Sequence, residues 1–157
     1  MSTKYLWDKI LSPGEEIKFE FSLGKRYIIL ARIFWIILGI PLLFFYGLGV
    51  IFILFGFFLI LFGFFWGWYL RRANNYAFTN RRILVLKGWL STNLTSVDFN
   101  QITDVRVEQS FFDKVIFKTG NLIINTAGTP FPEIVLTIIE NPFQTKQKLD
   151  EIREKPE

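Results

Sequence analysis

The sequence predicts a pair of membrane-spanning helices joined to an all-β domain that ends in one α-helix. Three observations lead to this fold class. An almost uncharged apolar block occupies residues 27–70, seven short β-prone runs follow it at intervals of about ten residues, and Asn141-Pro142 then opens a polar stretch. Asn favours the N-cap of a helix and Pro its first turn, so we expect the last element to be helical.

The composition excludes several classes of function. Hydrophobic residues make up 51% of the 157-residue chain, more than a single soluble domain of this size is expected to hide. The chain has no Cys and no His, which excludes disulfides, thiolate chemistry and the usual general base near neutral pH. We therefore predict no catalytic residue, no metal site and no cofactor. The net charge of +4 without a stacking platform also argues against nucleic acid as a partner.

The apolar block is long enough for two spans. Arg32 is its only charge in 44 residues, whereas one span needs roughly 20. A break at residues 46–49 gives predicted helices over 27–46 and 48–70, with Pro41 as a kink in the first. The domains are then a cytoplasmic segment over 1–24 with one strand, a hairpin over 25–72, and a β-domain over 73–157.

Basic residues at both outer ends of the hairpin predict its orientation. Lys25 and Arg26 precede the first helix, Arg71 and Arg72 follow the second, and the connecting turn is uncharged. The positive-inside rule then places the protein in the cell membrane with both termini cytoplasmic. We expect side chains with polar tips to anchor the helices at the headgroup level, namely Arg26, Arg32, Trp66, Trp68 and Tyr69. Arg32 either snorkels back to the headgroups or is a buried functional charge.

The β-prone runs after the hairpin predict seven short antiparallel strands in a sandwich or barrel. These runs are 76–79, 83–87, 94–99, 103–108, 115–118, 121–126 and 134–139. A further alternating run over 17–23 is also typical of a half-buried strand. It either adds to the β-domain or lies along the membrane.

Four motifs resemble the bacterial pleckstrin-homology (PH) membrane family, which includes the YdbS-like proteins. They read LSPGEEI at 11–17, YAFTNRRI at 76–83, ITDVRVEQS at 102–110, and GNLIINT at 120–126 with IENP at 139–142. The resemblance covers nearly the whole chain and implies a PH-like barrel of seven strands with a C-terminal helix that closes one open end. It leaves the ligand open, because a fold does not confer a function.

A basic stretch without acidic residues lies between Glu20 and Asp98. If it faces the inner leaflet, its cations attract anionic lipid by about 1 kcal/mol each. The candidate headgroup ligands are Arg71, Arg72, Arg81, Arg82 and Lys87. Membrane insertion by itself also requires flanking cations, and Arg81 and Arg82 are equally consistent with ordinary surface charge.

Apolar loop tips offer a second candidate surface, formed by Phe111, Phe112 and Phe131. They either pack over the barrel mouth or contact a protein partner or the bilayer. We therefore expect a non-enzymatic scaffold that binds a protein partner or self-associates, with an anionic-lipid sensor as the alternative. A channel or transporter ranks last, because two helices enclose no pathway. The sequence identifies no small-molecule substrate.

Overall fold

The structure, a computed structural model, describes residues 7, 9–44, 49–89, 92–127 and 134–154. Helix α1 (Lys25–Phe44) and helix α2 (Val50–Ala73) confirm the predicted hairpin. Helix α1 begins two residues earlier than predicted, and α2 begins two residues later and continues three residues further. The predicted connecting turn at 46–48 lies outside the described residues.

Small residues let the two helices approach closely. A Cβ built on Gly56 would lie 2.8 Å from the carbonyl oxygen of Gly39, and one on Gly63 would lie 2.5 Å from the Cβ of Trp35. Any side chain at these positions would therefore separate the helices. The residues of α1 in these contacts run in the opposite order to those of α2, as in an antiparallel hairpin with small residues at its interface.

The outer faces of both helices are apolar and uncovered. Each helix contains an apolar window of 18 residues, and only 11% of that window in α1 and 22% of it in α2 is buried inside the protein. The core helix of a soluble domain would be mostly buried. Both helices are thus long and apolar enough to cross a membrane, and they leave the apolar surface that a bilayer would cover.

In the part of the chain that the structure describes, seven antiparallel strands form two sheets. The first sheet has the order β1-β2-β3-β4 and the second the order β5-β6-β7. The strands are β1 (Ile17–Ser22), β2 (Asn74–Thr79), β3 (Arg82–Lys87), β4 (Asn93–Asp98), β5 (Ile102–Glu108), β6 (Thr119–Thr126) and β7 (Ile134–Glu140). Helix α3 (Pro142–Glu154) follows them, so the predicted order of seven strands and one C-terminal helix is confirmed.

Strand β1 belongs to the first sheet, which answers the question that its sequence left open. It pairs antiparallel with β2, and Ser22 lies opposite Asn75. The helical hairpin is therefore an insertion between two neighbouring, hydrogen-bonded strands. The β-domain consists of residues on both sides of the hairpin rather than of the part after residue 73 alone.

The predicted strand over 115–118 is wrong. Residues 111–117 instead form a helical turn between β5 and β6, here called the β5–β6 turn, with π-helical geometry over Asp113–Phe117. The backbone N–H of Lys114 donates to the carbonyl of Ser110, and Lys118 ends the turn in the left-handed region with φ of 52°. The count of seven strands holds because β1 takes the place of the missing one.

The two sheets pack face to face around one apolar core rather than closing into a continuous barrel. Fully buried side chains from both sheets and from α3 meet there, including Tyr76, Phe78, Leu122 and Leu149. At one corner the sheets are joined by an isolated β-bridge between Leu23 and Ile139. A smaller apolar cluster, centred on Trp7, covers the outer face of the first sheet.

Candidate functional site

An ion pair with a buried carboxylate joins the segment before β1 to the β2–β3 turn, at one end of the first sheet. Arg82 Nε donates to Oε1 of Glu15 at 2.8 Å, and Nη2 donates to Oε2 at 2.7 Å. Thr79 Oγ1 donates to Oε1 at 2.8 Å, and the backbone N–H of Ser12 donates to Oε2 at 2.9 Å. The side chain of Glu15 is 1% exposed, so four donors surround a fully buried carboxylate.

Burial alone would raise the pKa of Glu15, but the hydrogen bonds from Arg82, Ser12 and Thr79, together with the charge of Arg82, outweigh it and lower the pKa to about 2. The hydrogen bond to Glu15 also raises the pKa of Arg82. Two of the sequence motifs, LSPGEEI and YAFTNRRI, therefore meet in one structural contact. The Nε and Nη2 atoms of Arg82 thus donate to Glu15 within the fold, and 22% of its side chain is exposed.

The remaining candidate headgroup ligands lie at opposite ends of the first sheet. Lys87 lies opposite Asn74, the first residue after α2, and therefore shares the helix end with Arg71 and Arg72. Arg81 is exposed in the turn at the other end of β2, about 20 Å along the strand. This distance exceeds the Debye length of roughly 8 Å in physiological salt, so the basic stretch of the sequence is not one basic surface.

The predicted aromatic anchors lie along the last turns of α2. Trp66 stacks on Tyr69 with ring centroids 5.8 Å apart. Trp68 contacts Trp89 of the β3–β4 loop edge to face at 5.0 Å, and the guanidinium carbon of Arg72 lies 4.9 Å from its ring centroid. The Trp68–Trp89 contact therefore joins the C-terminal end of α2 to the β-domain, close to Arg71, Arg72 and Lys87.

Arg32 and Arg26 lie on α1. Arg32 packs across the hairpin against Gly67, where a Cβ would lie 2.8 Å from its Cγ. Its Nε is buried without a hydrogen-bond partner among the described residues. Arg26 is exposed as the second residue of α1.

The predicted partner-contact residues are exposed where the structure describes them. Phe111 is 73% and Phe112 62% exposed, so neither packs over the mouth of the β-domain. Their rings contact each other at 5.8 Å. Phe131 lies outside the described residues.

An open groove that sequence reasoning did not find runs along the free edge of β1. Its volume is about 650 Å³, and α3 forms the opposite wall. It is lined on the strand side by Phe19, Phe21 and Leu23, and on the helix side by Gln144, Gln147 and Lys148. No sequence signal could have located it, because the pairing of β1 with β2 decides which edge is free.

Comparisons with known proteins agree with this architecture. The sequence model of the family described as "Bacterial PH domain" matches residues 26–155, a span that begins after β1. A solved structure of a DUF1696 family protein with a pleckstrin-homology domain, from Shewanella loihica PV-4, is similar over 98% of each chain, with a TM-score of 0.52 and 11% identity. At this identity the likeness concerns the fold alone. A search of curated proteins gave no match.

Proposed function

Because the chain belongs to the bacterial PH domain family, we propose that it is a membrane-anchored interaction module that binds an extended segment of a protein partner in the groove between β1 and α3. The family is a non-catalytic, interaction-type domain. Two helices that could span a membrane fit a membrane-associated member of this family. The groove supplies the interaction.

The membrane anchor is supported by the uncovered apolar helices and by the position of the cations. Lys25 and Arg26 open α1, and Arg71 and Arg72 lie in the last turn of α2, so all four lie at the end that joins the β-domain. By the positive-inside rule, these cations support two spans in the cell membrane with the β-domain and both termini in the cytoplasm.

The observation that carries the proposed binding mode is the free edge of β1. Strand β1 lies at the edge of the first sheet, and within the described ranges its other side meets the second sheet only at the bridge from Leu23 to Ile139. An edge strand presents unpaired backbone N–H and C=O groups, which an incoming extended chain can satisfy as an added strand. The apolar side chains of Phe19 and Phe21 lie beside that edge.

The charges of the groove favour a polypeptide over a phosphate group. Its walls carry Lys25 and Lys148 but also Glu140 and Glu151, and Lys148 Nζ lies 2.7 Å from Glu151 Oε2. Mixed and internally paired charge gives no cationic pocket for an anionic headgroup. A peptide instead binds mainly through its backbone, which needs no net charge in the groove.

The test combines crosslinking with a matched pair of substitutions on α3. A photoreactive amino acid replaces Gln147, which lines the groove, or Glu154, which is exposed on the same helix outside it. In native membranes we expect a discrete protein adduct from position 147 and none from 154. The crosslinked segment, made as a peptide, should then bind the purified full-length chain in detergent.

The substitutions decide whether that binding uses the groove. Gln147→Trp should weaken peptide binding at least about tenfold by filling the groove, and Glu154→Trp should leave it unchanged. Equal binding by both variants, or equal adducts from both positions, would refute the proposed site. An adduct with a second copy of this chain would instead assign the groove to self-association.

The cations beside the helix ends favour anionic-lipid sensing as a second candidate function. Lys87 is informative because it lies outside the helices, where insertion does not require it. Lys87→Glu should reduce the anionic lipid that co-purifies with the full chain by roughly fivefold to tenfold, in a salt-dependent way. Arg81→Glu, at the far end of β2, should leave it unchanged. If the two substitutions changed the amount of co-purifying anionic lipid equally, lipid sensing by the cations beside the helix ends would be refuted.

A further inference from the structure

We propose that the β5–β6 turn is a third membrane-contacting element, which inserts its apolar side chains into the lipid interface beside α1. This inference rests on the membrane anchoring proposed above. It concerns a segment outside the two helices and outside the groove.

The β5–β6 turn exposes an unusual apolar surface. Phe111, Phe112, Val115 and Ile116 are 73%, 62%, 57% and 46% exposed, respectively. Their spacing places them on one side of this short helical segment. A cluster of four large apolar side chains on one short segment marks a surface that another phase or molecule covers.

The position of the turn identifies the bilayer as that phase. The ring of Phe117 contacts the ring of Tyr27 edge to face, with centroids 5.4 Å apart. Tyr27 is the third residue of α1, about 3 Å along the helix axis from its start at Lys25. The turn therefore lies at the depth where α1 enters the headgroup region.

The charges around the turn complete an amphipathic element. Lys114 and Lys118 are exposed next to the apolar side chains, and Arg26 is exposed on the first turn of α1. Apolar side chains flanked by Lys and Arg are typical of segments that lie in the interface and contact anionic lipid. The turn is also ordered by its own hydrogen bonds, because the N–H of Lys118 donates to the carbonyl of Asp113.

The absence of Cys from the chain allows a direct test by single-Cys labelling. Full-length chains carrying Ile116→Cys or Phe112→Cys are spin-labelled and reconstituted into vesicles of phosphatidylcholine and phosphatidylglycerol. Collision with oxygen, which dissolves in lipid, is compared with collision with a water-soluble nickel chelate. Leu61→Cys on the exposed face of α2 gives the lipid reference, and Arg81→Cys gives the water reference.

We expect labels at 112 and 116 to collide with the nickel chelate at least about fivefold less than the label at 81. Adding Phe111→Ser to the Ile116→Cys chain should restore part of that collision. The inference would be overturned, with the anchoring intact, if the labels at 112 and 116 collided with the nickel chelate as often as the label at 81 while the label at 61 remained exposed to lipid. Water exposure at 61 would overturn both. Protection at 116 that appears only at high protein-to-lipid ratio would assign the surface to a second copy and also overturn the inference.

Discussion

The Glu15–Arg82 ion pair should contribute a large share of the stability of the β-domain, although the two residues are 67 positions apart. Glu15 belongs to the segment before β1, and Arg82 is the first residue of β3. The pair therefore holds the N-terminal segment against the turn that joins β2 to β3. Glu15→Gln keeps the shape of the side chain but removes the charge that Arg82 requires.

The magnitude follows from the pKa of Glu15. It falls from an ordinary value of 4.5 to about 2 in the folded protein. Each pKa unit corresponds to about 1.4 kcal/mol, so the ionised carboxylate contributes on the order of 3 kcal/mol to the free energy of unfolding. Because the folded-state pKa is lowered, this contribution is complete above pH of about 5 and is lost as the pH falls towards 2.

Thermal unfolding of the full chain in detergent, followed by circular dichroism, measures this effect. At pH 7, Glu15→Gln should cost about 3 kcal/mol. Glu16→Gln should cost less than about 1 kcal/mol, because the Glu16 side chain is 73% exposed and its carboxylate forms a surface ion pair with Lys18 at 3.4 Å. The difference between wild type and Glu15→Gln should shrink between pH 5 and pH 2. If the two substitutions cost the same at pH 7, or if the difference does not change with pH, the reasoning is wrong.

Two further predictions concern the helical hairpin. Gly63→Leu should destabilise the packing of the two helices by roughly 1–3 kcal/mol, because even a Cβ at position 63 would lie 2.5 Å from the Cβ of Trp35. Phe64→Leu, on the exposed face of α2, should not destabilise it. The accessibility of a Cys introduced in the helix interface measures the packing, and equal accessibility in both variants would contradict this prediction. Replacing residues 25–73 by a linker of about four residues should yield a soluble, cooperatively folding β-domain, because the strands on either side are directly paired. A product that stays insoluble, or that melts without cooperativity in circular dichroism, would show that the helices are needed for the β-domain to fold.

The elements that the sequence predicted correctly are those specified by local signals. The hairpin follows from length and hydropathy, and α3 begins at Pro142 as the Asn-Pro pair indicates. Strands β2 to β4 lie within two residues of their β-prone runs. In each of these elements, local propensity and tertiary packing favour the same structure.

The errors arise where tertiary contacts decide. Residues 115–118 have strong β propensity, but the hydrogen bond to Ser110 and the contact of Phe117 with Tyr27 fix a helical turn there. The basic stretch is continuous in sequence, yet β2 carries Arg81 away from the helix ends. The Glu15–Arg82 pair and the groove depend on the pairing of β1 with β2 across the inserted hairpin, and neither strand's alternation specifies its partner.

The insertion of the hairpin between paired strands leaves no linker between the helices and the β-domain. Helix α2 ends at Ala73 and β2 begins at the next residue, while Gly24 donates its backbone N–H to the carbonyl of Ile138 at 2.8 Å just before α1. The N–H of Gly88 also donates to the carbonyl of Ala73 at 2.7 Å. The chain is thus hydrogen-bonded to the β-domain where it enters α1 and where it leaves α2, so the β-domain cannot rotate freely relative to the helices. The groove, whose lining includes Lys25, therefore keeps a fixed height and direction relative to the helices, as the proposed interaction module requires.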